Sequence, residues 1–345
     1  MKKFFFTYLS YFLYPLTFLY RLLFALNQAR KQSKEIPDSF VISVGNLSVG
    51  GTGKTPFTLY LLEVLQNLKL PLCVLSRGYK GKLSKNGMRV LVDSLAIDCG
   101  DEPLLIKKKF SQVEVIIGKD RLASYFKYYP NPSEKKIIIL EDGFQHKSIQ
   151  RNLDFVLIDS QTLLGKGWTL PAGLLREPIT ALRRANFVVF TKYEVQFKQK
   201  VEEFQFKLQK DFPHLSFLKM FFIPSQLKNY LGEVLSLTEF SNFSWFAFSG
   251  VGNFDSFYRT VLGLNSLDVQ FQAFEDHYNF QEKDVLQIFK KKPNRLLVCT
   301  EKDFVKFSSW IDTKEEYKKI WYLEMKTKLD ISDEDFLEKI KKYIS

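Results

Sequence analysis

The sequence predicts an α/β protein, with parallel sheets carrying helices on both faces. Three observations point there. Short apolar runs of strand character alternate with helical segments along most of the 345 residues, the rhythm of strands joined by helical crossovers. A glycine-rich turn stands between one such strand and the helix after it. The chain also opens on an apolar helical stretch that belongs to neither rhythm.

That opening stretch carries no charge from Phe4 to Tyr20; Arg21 interrupts it and Leu22 to Leu26 resume it. No small-x-small cleavage site follows, so a signal peptide is not expected. A bilayer-spanning helix needs about 20 apolar residues, and Pro15 and Arg21 interrupt this one. Thr7, Ser10, Tyr14, Thr17, Arg21 and Gln28 recur at helical spacing as a thin polar stripe. Tyrosine-rich apolar faces flanked by Lys and Arg favour the headgroup boundary. Residues 1–30 are therefore expected to form an N-terminal membrane-associated helix, lying in or dipping into the cytoplasmic leaflet. The alternative is a helix packed on the protein's own core.

The stretch from Val41 to Thr55 reads V-I-S-V-G-N-L-S-V-G-G-T-G-K-T, and Pro56 to Leu65 follow as an apolar-rich helix. Val41, Ile42 and Val44 make a short buried strand. Gly50, Gly51 and Gly53 free the turn to fold its amides around an anion. Ser48, Val49, Gly50, Gly51, Thr52, Gly53, Lys54 and Thr55 are the expected ATP-binding residues. In this pattern Lys54 reaches the outer phosphates, Thr55 offers a hydroxyl to Mg²⁺, and the helix N-terminus adds partial positive charge. Ser48 stands where the usual pattern has its first glycine. The double glycine is closer to a K-G-G-x-G-K-T variant, with Val49 in place of its lysine. The fold expected is thus a P-loop NTPase-like parallel sheet, plus a second α/β domain.

Further along, a strand over Pro71 to Leu75 ends in S-R-G-Y-K-G, where Arg77 is either a phosphate contact or a surface turn residue. C-G-D-E-P places Asp101 and Glu102 at the start of a helix, as caps or as a catalytic carboxylate. Lys135 to Leu140 form a buried strand ending in Glu141 and Asp142, the arrangement in which an acid holds Mg²⁺ opposite the Thr55 hydroxyl. G-F-Q-H follows, bringing Gln145 and His146 to a strand's carboxyl end, where ligands of α/β sheets bind. A long loop from Gly165 to Pro178 carries Arg176 and Glu177. A strand over Asn186 to Phe190 stops at Thr191 and Lys192. Later come S-G-V-G-N at Ser249 to Asn253, F-E-D-H-Y with His277, and T-E-K-D with Lys302. Lys192 and Lys302 are nucleotide contacts, interdomain contacts or surface lysines. The organisation expected is 1–30, 31–165 and 166–345, with the C-terminal end free to pack back on the first domain.

Apolar residues make up 46% and aromatic ones 16%, largely through 34 Phe, and the formal charge is +12. That balance suits anionic partners such as nucleotide or anionic lipid. The basic residues are dispersed and no RNA- or DNA-binding signature occurs, so nucleic acid is not an expected partner. Lys107 to Lys109 and Lys290 to Lys292 read most simply as solvated helix faces. Cys73, Cys99 and Cys299 lie far apart without C-x-x-C spacing, so nothing suggests a disulfide framework or a zinc site.

G-N-L-S-V-G-G-T-G-K-T-P, S-R-G-Y, G-D-E-P, D-G-F-Q-H (from Asp142, with Glu141 before it), L-P-A-G-L-L-R-E-P, Thr191-Lys192, S-G-V-G-N and T-E-K-D resemble, in order, the tetraacyldisaccharide 4′-kinases of lipid A synthesis. The resemblance covers almost all of the chain after the N-terminal helix. It implies transfer of the γ-phosphoryl of ATP to the 4′-hydroxyl of a tetraacylated glucosamine disaccharide 1-phosphate, at the cytoplasmic face of the inner membrane. It further implies Asp101 as base assisted by His277, and Lys54 on the phosphates. Thr55, Glu141 and Asp142 would serve Mg²⁺. Arg77, Glu102, Gln145, His146, Arg176 and Glu177 would contact substrate or phosphates. Three residues depart from the family pattern: Glu141 replaces a first aspartate, Tyr278 stands where a second histidine is common, and Leu174 replaces a proline. The rival is a membrane-associated GTPase or ATPase switch without a sugar acceptor, since Thr191-Lys192-Tyr193-Glu194 is faintly similar to the guanine-reading N/T-K-x-D. A third reading is a nucleotide sensor without catalysis.

Overall fold

The structure is a computed structural model describing residues 2–29, 32–130, 134–252, 254–264, 268–307 and 309–344, with backbone alone for 2–9. Asn253, the end of S-G-V-G-N, lies outside the described residues. The chain is mixed α/β and divides into two compact units. The first comprises Met1–Arg77, Asp120–Phe221 and Thr327–Ser345; the second comprises Gly78–Lys119 and Phe222–Lys326.

In the first unit the strands Leu72–Ser76, Lys136–Glu141, Ser39–Asn46, Leu153–Asp159 and Phe187–Thr191 lie side by side in that order, all parallel. The start of Ser216–Lys228 continues the series, pairing Ser216 with Phe187. Their near-continuous apolar runs, such as K-I-I-I-L-E with every residue buried, are what a sheet covered on both faces requires. On one face the helix Lys54–Leu65 places Phe57 on Phe155, ring centroids 5.1 Å apart. The C-terminal helix Asp333–Ile344 adds Phe336 to the same stack, and Tyr60 donates its hydroxyl to Asp333 at 2.6 Å. A second cluster, including Phe144, Leu175, Val188 and Phe190, receives Val201 and Leu208 from one edge of the helix Lys198–Asp211.

In the second unit the strands Asp268–Ala273, Ser244–Ser249, Leu296–Thr300 and the first part of Ile320–Leu329 are parallel neighbours. Two short antiparallel pairs accompany them, Met88–Arg89 with Ile116–Ile117 and Gln226–Lys228 with Val234–Ser236.

These units differ from a single cut at 165. Parallel pairing carries the first sheet on to Phe187 and Ser216. Residues 78–119 are instead held by the second unit, where Asp101 meets His277. The C-terminal helix belongs with the first unit because Phe336 needs the apolar face around Phe57.

Residues Lys107 to Lys109 correct another expectation. They end the helix Asp101–Lys109, where cations complement the helix dipole. Lys107 is buried and its ammonium donates to the Ser111 and Val113 carbonyls, while Lys109 pairs with Glu301 at 2.9 Å. Lys107 thus fastens the loop after the helix and Lys109 an acid, so the triplet is not simply a solvated face.

The amino-terminal helix runs over Lys2–Ala29. Part of its polar stripe turns inward: Thr17 and Gln28 are buried, Ser10 accepts from Lys166, and Gln28 donates to the Gln145 carbonyl at 3.2 Å, while Tyr14 and Arg21 are exposed. Its apolar face turns outward, leaving Phe12, Leu16, Phe18, Leu19, Leu22, Leu23 and Leu26 exposed. Among the described residues no helix is long and apolar enough to cross a membrane.

Candidate active site

Five parallel strands of the first unit end in Ser76, Glu141, Asn46, Asp159 and Thr191. Ligands of open α/β sheets bind at such carboxyl ends, and here they surround the glycine-rich loop. Gly50 has φ +109° and Gly53, which caps the helix Lys54–Leu65, has φ +81°. Among the described residues the Gly50 to Gly53 amides donate to no protein acceptor, which leaves them available for an anion. The loop's first arm is held by the L-P-A-G-L-L-R-E-P segment: Val49 N–H donates to the Leu174 carbonyl at 2.8 Å and Arg176 N–H to the Leu47 carbonyl at 2.7 Å.

The turn after Glu141 packs tightly. A Cβ on Gly45 would come within 2.5 Å of the Phe144 Cβ, and one on Gly143 within 2.6 Å of the Leu140 Cβ. Only glycine lets D-G-F-Q-H lie across the strand end. Arg121, fully buried, donates to the Glu141 and Asp142 carbonyls at 2.9 and 3.2 Å. Arg151 and Arg184 donate to other carbonyls of the same turn. Asp142 has φ +51°, a setting that costs energy and occurs at functional positions.

The Asp142 carboxylate faces two cations. Lys54 Nζ lies 3.5 Å from Oδ1, and Arg176 reaches both oxygens at 3.0 and 3.1 Å. Burial pushes the Asp142 carboxyl up, but Lys54, Arg176 and Arg121 outweigh it and hold the carboxyl below its ordinary range. Glu141 is buried and accepts from the Ser76 hydroxyl at 2.8 Å. Gln145 donates to the Asn46 carbonyl at 2.9 Å and to Glu177 at 3.1 Å, and Glu177 also accepts from Arg184 at 2.6 Å. His146 closes the turn through its amide on the Gly143 carbonyl. Arg77 is exposed beyond Ser76. Thr55 is buried in the first helical turn.

Mg²⁺ takes one or two protein oxygens and completes its shell from phosphates and water. Thr55 and Asp142 supply such a set, and among the described residues no cluster of three His, Cys, Asp or Glu offers a protein cage instead. The donors fit a metal that arrives with the nucleotide.

Asp101, Glu102 and His277 gather in the second unit. His277 Nδ1 lies 3.0 Å from Asp101 Oδ2. Burial pushes the Asp101 carboxyl up, but the His277 hydrogen bond and the charges of Lys302 and Lys306 prevail and hold it at about 2. An ionised carboxylate only accepts, so Nδ1 carries the proton of this bond. His277 has φ +60° and its amide donates to the Gly250 carbonyl at 2.9 Å. A Cβ on Gly250 would stand 2.9 Å from the Tyr278 Cβ, so the first glycine of S-G-V-G serves the histidine's turn. Lys302 pairs with Glu102 at 2.9 Å, and Lys306 pairs with the fully buried Asp303, which accepts from Ser249 and Thr300.

A family model described as tetraacyldisaccharide-1-P 4'-kinase matches residues 9–345. The chain belongs to that family. Relatives of the same name include one from Leptospira biflexa, 38% identical over 89% of this chain and 87% of its own. Another, from Aquifex aeolicus, is 33% identical over 88% and 87%. A crystal structure of the "apo" form of LpxK from Aquifex aeolicus in complex with ATP aligns with 98% of this chain and 100% of its own, at 30% identity and a TM-score of 0.77. In this member of the kinase family, the sequence motifs form two groups. One joins Lys54, Thr55, Asp142, Gln145, Arg176 and Glu177 in the first unit; the other joins Asp101, Glu102 and His277 in the second.

Sequence reasoning missed Arg121, Ser76, Arg184 and Lys306. Lys306 had a usable signal, since it falls four residues after Lys302 and so shares its side of the turn. Ser76 opens the S-R-G-Y motif, but nothing there pointed to its hydroxyl, and Arg121 and Arg184 stood in no motif singled out above.

Proposed function

We propose that the protein transfers the γ-phosphoryl of ATP to the 4′-hydroxyl of a tetraacylated glucosamine disaccharide 1-phosphate, as an enzyme of lipid A synthesis. The observation that carries this reading is that a family match running almost end to end falls on a loop with open amides, flanked by Lys54 and Asp142. Phosphoryl transfer asks for positioning and charge neutralisation rather than covalent chemistry. The Gly50 to Gly53 amides and Lys54 bind the triphosphate. Thr55 and Asp142, with Glu141 behind, are the oxygens for Mg²⁺, which when bound neutralises phosphate charge. Arg176, now on Asp142, supplies a second cation to the phosphates.

Asp101 accepts the proton of the sugar hydroxyl, and His277 stabilises the carboxylate through Nδ1. An acid with a pKa near 2 is a weak acceptor, so it orients the hydroxyl and takes the proton late. A loose transition state allows this, because it asks little of the nucleophile.

A cavity of about 570 Å³ in the first unit would take part of the acceptor, its phosphate and the nearest reach of its acyl chains. Arg21, Lys147, Arg176 and Arg184 line it beside Leu22 and Phe24 of the amino-terminal helix. That helix docks by its polar stripe and offers its apolar face to the cytoplasmic leaflet of the inner membrane. Replacing outward residues, as in Leu19→Glu with Leu23→Glu, is expected to release the protein from anionic vesicles; unchanged co-sedimentation would refute the placement.

Incubating the protein with labelled ATP and the acylated disaccharide phosphate in detergent should yield a labelled lipid. Preferential hydrolysis of GTP without an acceptor would favour the switch reading instead.

A further inference from the structure

The end of the strand Phe187–Thr191 is fastened to the phosphate loop. Thr191, fully buried, donates its hydroxyl to the Thr52 carbonyl at 2.8 Å. Lys192 donates from Nζ to the Gly51 carbonyl at 2.7 Å and to the Asp159 carboxylate at 2.6 Å. Asp159 is itself oriented by the Gln161 N–H at 2.8 Å. Lys192 has φ +51°, a backbone setting that side-chain-bearing residues rarely adopt without compensation.

A trans peptide points its carbonyl and its N–H in opposite directions. Drawing the Gly51 carbonyl toward Lys192 therefore turns the Thr52 N–H the other way. Drawing the Thr52 carbonyl toward Thr191 does the same for the Gly53 N–H. The glycines before them add no packing of their own, because a Cβ built on Gly50 or Gly51 would meet nothing within 4 Å, whereas Thr52, shared by both peptide groups, is buried. Left to itself, such a glycine turn would lose its freedom only on binding and weaken binding accordingly.

We propose that Thr191 and Lys192 are positioning residues of the phosphate loop, holding two successive peptide groups with carbonyls outward and N–H groups toward the triphosphate. Neither side chain touches the nucleotide in this role. The proposal rests on the reading that the loop binds ATP.

Calorimetric titration of the full chain with ATP, and separately with inorganic tripolyphosphate, tests it. Lys192→Met is made together with Asp159→Asn, so that no buried carboxylate is left without the cation paired with it. Both ligands are expected to bind about ten- to a hundredfold more weakly, the scale of a lost charged hydrogen bond. Thr191→Val is expected to cost about three- to tenfold for both, while Thr191→Ser, which keeps the hydroxyl, binds as the unaltered protein does. KM for ATP rises more than kcat falls, and KM for the lipid acceptor stays put. If the Lys192 variant does not fold, the Thr191 pair decides alone. Unchanged affinity in Thr191→Val and in the Lys192 double variant would overturn the proposal. So would weakened ATP binding with unaltered tripolyphosphate binding, which would put Lys192 on the base or ribose. Failure of the unaltered protein to bind either ligand would sink the functional reading first, and the proposal with it.

Discussion

Asp142 in the first unit and Asp101 in the second are each ringed by cations, yet the rings differ in kind. Asp142 faces Lys54 and Arg176, whose side chains are 13% and 26% exposed. These are long, partly solvated arms that a phosphate can take over from the carboxylate. Asp101 is tighter, 8% exposed, and its nearest partner is an imidazole, with Lys302 at 3.8 Å and Lys306 at 3.9 Å. A ring that can hold or pass a proton, beside a carboxylate, is equipment for a hydroxyl nucleophile. Two similar acids thus point to two tasks, one to manage phosphate charge and one to manage a proton.

The comparison is broken most sharply by deleting one charge from each ring. Lys54→Ala is expected to lower transfer by about a hundred- to a thousandfold or more and to weaken ATP binding, measured by steady-state kinetics and calorimetry. Equal ATP affinity would remove Lys54 from the phosphates. Next in size, His277→Ala should lower kcat by about a hundredfold with little change in KM for ATP, since its work lies on the proton side. A rise in KM for ATP alone would contradict that assignment. Arg176→Lys keeps the charge but loses the planar guanidinium whose Nη1 contacts both Asp142 oxygens and is shared with Gln145, and should reduce kcat/KM by about tenfold.

The smallest effect sharpens the contrast through pH. Asp101 has its pKa depressed to about 2. A depressed carboxylate stabilises the fold above its unfolded pKa of about 4 and loses that stabilisation as pH falls toward the folded value. The melting-temperature gap between the unaltered protein and Asp101→Asn should therefore be constant from neutral pH down to about 5 and close between about 4 and 2. A gap that closes near pH 6 would mean that Asp101 is not held down by its cations. For the same reason no loss of activity above pH 5 should trace to Asp101.

How much of this was legible in the sequence follows from how local each signal is. The phosphate loop, the acid pair after a buried strand and the paired Arg176-Glu177 all declare themselves within a few residues. So do the parallel strands, whose apolar runs need no partner to be recognised. His277 and Asp101 stand 176 positions apart, and only the family resemblance joined them. Arg121 and Ser76 act on a turn far along the chain, Arg184 on two such segments, and no spacing announces a long-range cap. The interleaving of the two units was hidden for the same reason, since Phe336 looks like any helical Phe until Phe57 is beside it. Lys107 to Lys109 misled because a charge run reads as solvent-facing, whereas Lys107 is buried by the loop just beyond its helix and Glu301, the acid on Lys109, lies 192 positions away. The amino-terminal stripe was visible, but the direction it faces was not.

The division of labour between the two acids is tested most directly in Asp101→Asn, by measuring ATP affinity and phosphoryl transfer on the same preparation. The account predicts ATP affinity within about twofold of the unaltered protein and transfer reduced by about a hundred- to ten-thousandfold. Retained transfer, or ATP binding lost along with it, would contradict the separation of phosphate grip from proton acceptance.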